Sequence, residues 1–449
     1  MWKKISAYFS AGGLTGGLLA ALAGSAFLYL ARFGLSSPWI ETPSALLFFG
    51  LMISGDRRRW FWSGLFLGLF WFWWIGVSFL HYGHPWAIPF VSLAVALVYA
   101  LLFWLMALSA EWIGKKISTL STIDYQLSTS TAKALWLWLW SLLHPFGFDW
   151  YKPELTLLHT PFGVDGVSFG LVLTAILCLL ALKAKRIPRS IRITGLIVAA
   201  LLLIPALDLR QARVLRSDPS GRIVLAGTHI PVEIKWRQDQ QQRQVQMVLE
   251  RIDEAIAAHR QAIFLPESVL PIFLNRSPGV LNALRHRSRR IDIVLGALYF
   301  TPEGEHRNSA YHFRDGNYTV ADKTVLVPFG EANPLPAWAS RWVNRIFFDG
   351  APDYRPARHP TDFLIDGKRY RAAVCFEGTS ERLYADRPAR MDLLSNNGWF
   401  VPSVEPTLQR LLLEYYHRKY GTEIWHAVNM AGSYVITDGK RETENRVTE

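Results

Sequence analysis

Cysteine is scarce in this chain. Only two of the 449 residues are cysteines, Cys178 and Cys375, so a small disulfide-rich fold is excluded. Cys178 lies within an apolar run and Cys375 lies in the more polar second half, so the two are not expected to pair. Histidines are few, and pairs such as His81 and His84 lack further ligands at a suitable spacing. A zinc site is therefore not expected.

Acidic residues are fewer than basic ones, yet the net charge of +12 does not indicate a nucleic-acid-binding protein. Residues 1–210 contain 16 basic and 8 acidic residues, and residues 211–449 contain 32 basic and 28 acidic residues. Two thirds of the excess positive charge therefore lies in the first part. The remaining charge of +4 is dispersed over 239 residues, which is typical of a solvated surface rather than a basic stripe.

Long apolar runs are lacking after about residue 210 but are frequent before it. Hydrophobic residues make up 51% of the chain, which is high for a soluble enzyme. A helix of about 20 apolar residues can cross a bilayer. The first run could also be a signal peptide, but six further runs favour a membrane helix. Residues 1–210 are thus predicted to form a bundle of about seven transmembrane helices, at about 11–31, 38–54, 60–80, 86–110, 133–148, 164–182 and 193–208.

The loop charges predict the orientation of this bundle, because Lys and Arg are concentrated on the cytoplasmic side of membrane proteins. With the N-terminus inside, the outer segments contain only Arg32 and Lys152. Seven crossings then place the second half of the chain outside the membrane. The inner segments contain 13 basic residues, namely Lys3, Lys4, Arg57, Arg58, Arg59, Lys115, Lys116, Lys133, Lys183, Lys185, Arg186, Arg189 and Arg192.

The second half of the chain has a different pattern. Strand and helix patterns alternate over 220–440, which predicts a mixed α/β domain, and a charged tail follows at 441–449. A long amphipathic helix is predicted at 237–260. Two hairpins with glycine-containing turns are predicted at 309–326 and 362–376.

Three candidate reactive side chains lie at the ends of predicted strands, where α/β folds place their chemistry. Glu267 follows IFLP, Lys323 precedes TVLVPFGE, and Cys375 ends RAAV. Each residue alone has a simpler explanation, because surface Glu and Lys are common and a free Cys usually fills a core. Together they suffice for acyl transfer. A thiolate attacks a carbonyl, a carboxylate moves the protons, and an ammonium group stabilises the thiolate and the oxyanion.

The segments around these residues resemble the carbon–nitrogen hydrolase (nitrilase) superfamily, which has Glu, Lys and Cys in this order. FLPESVLP resembles the segment of the family's base, DKTVLVPFGE that of its lysine, and AAVCFEGTS its nucleophile turn. The apolar N-terminal half makes the resemblance closer to the membrane branch, apolipoprotein N-acyltransferase. The resemblance implies that Glu267, Lys323 and Cys375 are catalytic and that a four-layer αββα sandwich stands on the helical bundle.

The same resemblance implies supporting residues. Glu331, at the end of DKTVLVPFGE, is a second glutamate of the site in addition to Glu267, and Phe376 and Glu377 follow the nucleophile. Phe376 stands where a tyrosine is common in the family. In IPVEIKW, Trp236 matches a tryptophan that lies beside the site, and LLSNNGWF matches the strand and loop beyond the nucleophile.

The implied reaction is a ping-pong acyl transfer in a bacterial inner membrane, with the catalytic domain on the periplasmic side. A phospholipid acyl chain passes to Cys375 as a thioester and then to an amine, such as the N-terminus of a lipoprotein. Neither a metal nor an organic cofactor is implied, and nucleic acid is not a partner.

An aromatic segment follows Glu331 and fits a lipid substrate. Trp338 and Trp342 lie four residues apart, as on one face of a helix, and Phe347 and Phe348 broaden that face. Tryptophan favours the membrane interface, so we expect a lid that contacts the outer leaflet and binds lipid. The alternative is that the segment covers part of the sandwich core.

Two features differ from the usual pattern of the membrane branch. The sequence ends in DGKRETENRVTE without a final apolar run, and His426 lies in a segment that is more basic in the family. These features also resemble the TraB proteins of plasmid conjugal transfer, whose acceptor is unclear. A non-enzymatic assembly protein is disfavoured because a scaffold has no need for all three reactive groups. A nitrilase-like amidase is a further alternative, which the aromatic segment and the membrane helices disfavour.

Overall fold

The computed structural model describes residues 11–121, 124–182, 188–333, 335–336, 338, 340–341, 345 and 353–438. The chain divides into two compact units. The first comprises the residues up to 144 together with 149–210 and 402–411, and the second comprises 145–148, 211–401 and the residues from 412 on.

The first unit is helical. After α3 the chain continues through a 3-10 turn and the short helix Ser78–His81. Among the described residues, three stretches are long and apolar enough to cross a membrane, namely Gly12–Arg32, Arg57–His81 and Ala87–Leu120. Each of the seven predicted runs overlaps at least one helix, while the number of crossings stays a prediction. The helices are α1 Ala11–Arg32, α2 Pro38–Ser54, α3 Arg57–Phe72, α4 Ala87–Leu120, α5 Tyr125–Trp140, α6 Gly166–Ala181 and α7 Arg189–Leu203.

The bounds predicted for the fifth run, 133–148, are wrong, because α5 begins eight residues earlier and ends at Trp140. The carboxylate of Asp124 accepts a hydrogen bond from the backbone N–H of Leu127 at 3.1 Å, which caps the helix ahead of its apolar part. Pro145 has no N–H, and its ring clashes with the carbonyl four residues earlier in a helix. Pro145 therefore disfavours an α-helix that continues to residue 148, and α5 ends before it, at Trp140.

The inner position predicted for Lys133 stays a prediction, but the residue does not lie in a connection between helices. Lys133 lies within α5, is buried, and donates a hydrogen bond from its Nζ to the main-chain oxygen of Gly55 at 2.6 Å. Lys115 and Lys116 likewise lie within α4 rather than in a loop. A long lysine stem can pack against apolar neighbours while the ammonium group reaches a polar partner. Counting charges along the sequence cannot distinguish this arrangement from a loop.

The second unit contains two six-stranded sheets. In the first sheet the order is β2-β3-β5-β6-β7, with β4 paired to β5, and in the second it is β1-β12-β11-β10-β9-β8. The short strands β1 and β4 were not predicted from the sequence. The strands are β1 Arg213–Leu215, β2 Ile223–Leu225, β3 Ala262–Phe264, β4 Leu270–Phe273, β5 Asp292–Phe300, β6 His306–Arg314, β7 Asn317–Asp322, β8 Asp362–Ile365, β9 Lys368–Val374, β10 Arg390–Asn396, β11 Glu423–Asn429 and β12 Tyr434–Thr437.

Both predicted hairpins are present. The β6–β7 hairpin turns at Asp315 and Gly316, and the β8–β9 hairpin turns at Asp366 and Gly367, all with positive φ. Two consecutive residues with positive φ match the twist of the flanking strands, and Asp-Gly adopts that conformation readily. The first hairpin ends just before Lys323, and the second ends just before Cys375.

Helices cover the sheets. Two of them, α9 and α10, pack on the outer face of the first sheet through Val248, Ile252 and Leu284. A second core lies between the sheets and includes Phe264, Val294, Val374 and Leu394. The helices of this part are α8 Val232–Lys235, α9 Gln241–Ala257, α10 Pro278–Arg287 and α11 Glu405–Tyr420.

The outer face of the second sheet is covered by α11. The ring of Tyr416 stacks on that of Tyr384 at 4.6 Å, and the hydroxyl of Tyr384 lies 3.7 Å from the sulfur of Met391 on β10. The layers are therefore helix, sheet, sheet and helix. The predicted αββα sandwich is confirmed.

The environment of Asp392 leads to a prediction about the stability of the fold. It lies on β10, is fully buried, and neither carboxylate oxygen has a hydrogen-bond partner in the described part of the chain. Burial raises its pKa well above the ordinary value, so the fold loses stability as the pH rises above the pKa of the unfolded chain. Asp392→Asn is expected to raise the free energy of unfolding at pH 7.5 by about 1–3 kcal/mol, with little gain at pH 4.

Thermal unfolding of the purified protein at the two pH values measures this effect. The matched control is Asp315→Asn, since Asp315 is exposed in a turn that asparagine also tolerates. An equal gain from Asp392→Asn at both pH values would show that the cost does not come from the carboxylate charge.

Candidate functional site

The loop that carries Glu267 is pressed against a neighbouring strand. Glu267 lies beyond β3 and is buried, and Ser268 after it has a φ of 44°. A Cβ atom added at Gly296 on β5 would lie 2.4 Å from the nitrogen of Ser268 and 2.6 Å from the Cα of Glu267. Only glycine fits at this position, so the sequence of β5 determines how closely the Glu267 loop approaches the sheet.

Lys323 and Glu331 form a buried ion pair. Lys323 is the first residue after β7, is 1% exposed, and its Nζ lies 2.7 Å from Oε2 of Glu331. The same oxygen accepts a hydrogen bond from the backbone N–H of Val327 at 2.9 Å. The ammonium group of Lys323 is therefore held in one position by a carboxylate that is itself held by the backbone.

Asn308 on β6 joins the two glutamates. Its Nδ2 donates to Oε1 of Glu267 at 2.8 Å and to Oε1 of Glu331 at 2.9 Å. One amide thus orients both carboxylates. Asn308 was not predicted from the sequence, because nothing in the segment HRNSAYHF distinguishes it from a residue that faces the core.

Cys375 occupies a strained backbone position at the end of β9. Its φ is 55°, a value that is uncommon for residues other than glycine and costs free energy. The residues from Cys375 to Thr379 form a 3-10 turn. Strain of this kind often occurs where a side chain must be presented in a defined direction, which suits a nucleophile.

Glu377 connects this turn to the segment after Lys323. Its Oε1 accepts a hydrogen bond from the backbone N–H of Val374 at 2.7 Å. Its Oε2 accepts from the N–H of Thr324 at 2.8 Å and from the Thr324 hydroxyl at 3.0 Å. A carboxylate with these donors on both oxygens is a fixed structural element, so Glu377 holds the two strand ends in register.

The ammonium group of Lys323 interacts electrostatically with the thiol of Cys375 and with both site carboxylates. Burial alone would lower the pKa of Lys323, but Glu331, Glu267 and Cys375 outweigh it and raise that pKa above its ordinary value. The structure therefore brings together Glu267, Lys323 and Cys375, and it keeps Lys323 charged at physiological pH.

Lys235 at the end of α8 is a second buried lysine of this region. Its Nζ donates to the main-chain oxygen of Glu267 at 2.8 Å. Burial lowers its pKa to about 8, although Glu267 and Cys375 act in the opposite direction. Lys235 was not predicted as a site residue, and the signal for it in the sequence is its position directly before Trp236.

The other predicted residues have different environments. Phe376 is buried, and its ring stacks on that of Phe148 at a centroid distance of 5.9 Å. Trp236 and Trp338 are exposed, by 39% and 72%. The remaining predicted lipid-binding residues, Trp342, Phe347 and Phe348, lie outside the described residues. Among the residues that the structure describes, no group of three or more His, Cys, Asp or Glu could hold a metal ion.

Comparisons with known proteins cover both units. Residues 13–203 match the family described as the apolipoprotein N-acyltransferase integral membrane domain. The apolipoprotein N-acyltransferase of Wolinella succinogenes is 40% identical over 420 residues, which cover 93% of this chain and 94% of that protein. The apolipoprotein N-acyltransferase of Helicobacter pylori is 31% identical over 417 residues, which cover 91% of each chain.

A solved structure resembles part of the chain. The amidase of Nesterenkonia sp. AN1 aligns with a TM-score of 0.35 at 12% identity, over 51% of this chain and 99% of the amidase.

Proposed function

The chain belongs to the apolipoprotein N-acyltransferase family and is a membrane N-acyltransferase, and we propose that Cys375 carries the acyl chain between donor and acceptor. The observation that carries this proposal is the position of Cys375. Its thiol ends a strand at a positive φ and interacts electrostatically with Lys323, which also interacts with Glu267. Thiol, base and fixed cation are the groups that an acyl-enzyme mechanism needs.

In the first half-reaction, Glu267 accepts the proton of the Cys375 thiol and the sulfur attacks the ester carbonyl of a phospholipid. The ammonium group of Lys323 stabilises the negative charge that develops on the carbonyl oxygen. The carbon–oxygen bond then breaks, and Glu267 returns the proton to the departing alkoxide. A thioester on Cys375 and a lysophospholipid are the products.

In the second half-reaction, an amine attacks the thioester. Glu267 takes a proton from the attacking nitrogen, the carbon–sulfur bond breaks, and the proton passes to the sulfur of Cys375. An N-acyl product is released and the thiol is restored. We propose the N-terminal amine of a lipoprotein as the acceptor, by extension from the names of the relatives at high coverage.

The proposed function also implies on which side of the membrane the site lies. The apolar helices and the family membership make the chain an integral membrane protein. We place it in the bacterial inner membrane with the site on the periplasmic side. The basic residues are concentrated in alternate segments between the predicted helices, and such segments favour the cytoplasmic side. Labelling of Lys368, an exposed lysine of the sheet unit, by a membrane-impermeant reagent in intact spheroplasts tests this orientation.

An in vitro transfer assay tests the function. The purified protein is incubated with phospholipid vesicles and a diacylated lipopeptide that has a free N-terminal amine. The peptide is expected to gain one acyl chain by mass spectrometry, while the same peptide with an acetylated N-terminus gains none. Transfer that is equal for the two peptides would show that the amine is not the acceptor, and Cys375→Ala should form neither product.

The aromatic segment supplies a prediction about the lipid donor. Trp338 is 72% exposed, so it is available to enter a bilayer interface. Replacing both Trp338 and Trp342 by serine is expected to reduce kcat/KM with phospholipid vesicles at least about tenfold more than with a soluble acyl thioester. Full burial of a single aromatic side chain contributes roughly 1.5–3 kcal/mol, and about 1.4 kcal/mol corresponds to a factor of ten.

The matched control is Tyr318→Ser, which removes an exposed aromatic ring of the same unit from β7. It should leave both donors equally active. If the tryptophan variant loses activity on both donors to the same extent, the segment has a structural role and does not contact the lipid.

A further inference from the structure

We propose that Lys235 is a positioning residue of this site, which fixes the main chain of Glu267 and sets the fraction of Cys375 that is thiolate. The inference rests on the proposed role of Cys375 as nucleophile. It extends that role by assigning the protonation state of the thiol to a lysine outside the Glu267, Lys323 and Cys375 set.

The contacts of Lys235 show how it acts on Glu267. Its side chain is 1% exposed, and its Nζ donates to the main-chain oxygen of Glu267 at 2.8 Å. Glu267 is also the residue that lies directly against β5 at Gly296, where a larger side chain would not fit. The Glu267 loop is therefore held from one side by the strand and from the other by the lysine.

Lys235 is itself fixed, because polar side chains hold both ends of its short helix. On the N-terminal side, Asn429 accepts from the N–H of Ile230 at 2.9 Å and donates to its carbonyl at 2.8 Å. On the C-terminal side, the Nε2 of Gln244 donates to the carbonyl of Lys235 at 3.0 Å. A lysine that only filled space would not require a backbone clamped in this way.

The two lysines of the site differ in their partners. Lys323 is paired with the carboxylate of Glu331 at 2.7 Å, so its charge is fixed. The partner of Lys235 is a neutral carbonyl, and within the described part of the chain no carboxylate lies within 4 Å of its ammonium group. The charges that face it are those of Glu267 and Cys375, and burial lowers its pKa to about 8.

This arrangement has a consequence for the thiol. A positive charge near a thiol favours the thiolate, so protonated Lys235 lowers the pKa of Cys375 relative to a site without it. Lys235 is mostly protonated below pH 8 and mostly neutral above it. The charge is thus present in the range in which an ordinary thiol, with a pKa of about 8.5, is still mainly protonated.

The rate of Cys375 alkylation by iodoacetamide, measured from pH 5 to 10, tests the proposal. The full-length protein is used with Cys178→Ser, so that Cys375 is the single thiol. Lys235→Met is expected to move the midpoint of the profile to higher pH and to slow alkylation at pH 7 by about 3–10-fold, since one pKa unit is a tenfold change in thiolate below the midpoint. Lys235→Arg should restore the profile.

Two further variants complete the design. Lys368→Met removes an exposed lysine at the start of β9 and should leave the profile unchanged. Lys235→Gln keeps a hydrogen-bond donor but no charge, and it should behave like Lys235→Met while interfering less with folding. Folded Lys235→Met or Lys235→Gln protein with an unshifted midpoint would overturn the proposal, and so would failure of both neutral variants to fold, since Lys235 would then serve the fold alone.

The proposed function is tested separately on the unaltered protein. Alkylation of Cys375 requires no acyl donor, so the pH profile reports on Lys235 whether or not the enzyme forms a thioester. A shifted profile without any thioester from phospholipid would refute the acyl-enzyme mechanism and retain the role of Lys235. A thioester in the unaltered protein, together with an unshifted profile in the two neutral Lys235 variants, would support the acyl-enzyme mechanism and refute the role of Lys235.

Discussion

Lys323→Met is expected to lower kcat/KM for acyl transfer by at least about 10²–10³-fold, the usual cost of losing one group that stabilises an oxyanion. The ammonium group of Lys323 is buried and interacts with both Glu267 and Cys375. Its removal leaves the thiolate and the oxyanion without their fixed positive charge. Steady-state transfer to a lipopeptide measures the loss.

A second variant separates this effect from folding. Breaking a buried ion pair leaves an uncompensated charge, and Lys323→Met alone should destabilise the protein by roughly 3–5 kcal/mol. Lys323→Met with Glu331→Gln removes both charges and should recover much of that stability, because the pair is only 2.7 Å apart. Activity should remain low in the double variant. Recovery of activity together with stability would mean that Lys323 is only a structural partner of Glu331.

Glu267→Gln is expected to slow both half-reactions by about 10²–10⁴-fold, the range typical of a lost general base. The substitution is nearly isosteric, and glutamine can still accept the 2.8 Å hydrogen bond from Asn308. The main-chain contact with Lys235 is also unchanged. The loss would therefore report on proton transfer rather than on the position of the loop.

The two half-reactions can be measured apart. Release of lysophospholipid in a single turnover reports on acylation of Cys375, and decay of the isolated thioester in the presence of amine reports on its transfer. The matched control is Glu254→Gln on α9, where the glutamate is exposed and pairs with Arg251 on the same helix. Slowing of one half-reaction alone would assign Glu267 to that step and would contradict its use as the base in both.

The sequence could predict those parts of the fold that depend on local patterns. Alternating apolar residues with Asp-Gly turns predicted both hairpins, and these hairpins end beside Lys323 and Cys375. Apolar runs predicted helices in the first unit. The strand β4 is only four residues long, Leu270–Phe273, and too short to show a periodic pattern.

The site itself contains residues that no local pattern identifies. Asn308 bridges two carboxylates that lie 41 and 23 residues away in the sequence, and Lys235 contacts Glu267 from 32 residues away. Each pairing depends on which strands become neighbours. The sequence places a polar residue within a strand or a short helix, but it does not show which distant group that residue meets.

The helical unit shows a related limit. Hydropathy located an apolar run at 133–148, whereas the helix begins after the capping carboxylate of Asp124 and ends at Trp140, ahead of Pro145. Charges counted along the sequence do not reveal that Lys133 is buried, because its hydrogen bond to Gly55 joins residues 78 positions apart. Both differences between prediction and structure therefore arise from helix ends and tertiary contacts, which hydropathy does not describe.

The most direct test of the account is detection of an acyl thioester on Cys375. The purified protein is incubated with phospholipid that has a labelled acyl chain, without an amine acceptor, and the intact mass and the modified peptide are recorded. One acyl chain is expected on Cys375, removable by hydroxylamine and absent in Cys375→Ala. Protein that transfers the label to a lipopeptide without ever carrying it on Cys375, or that carries it equally in Cys375→Ala, would contradict the acyl-enzyme mechanism.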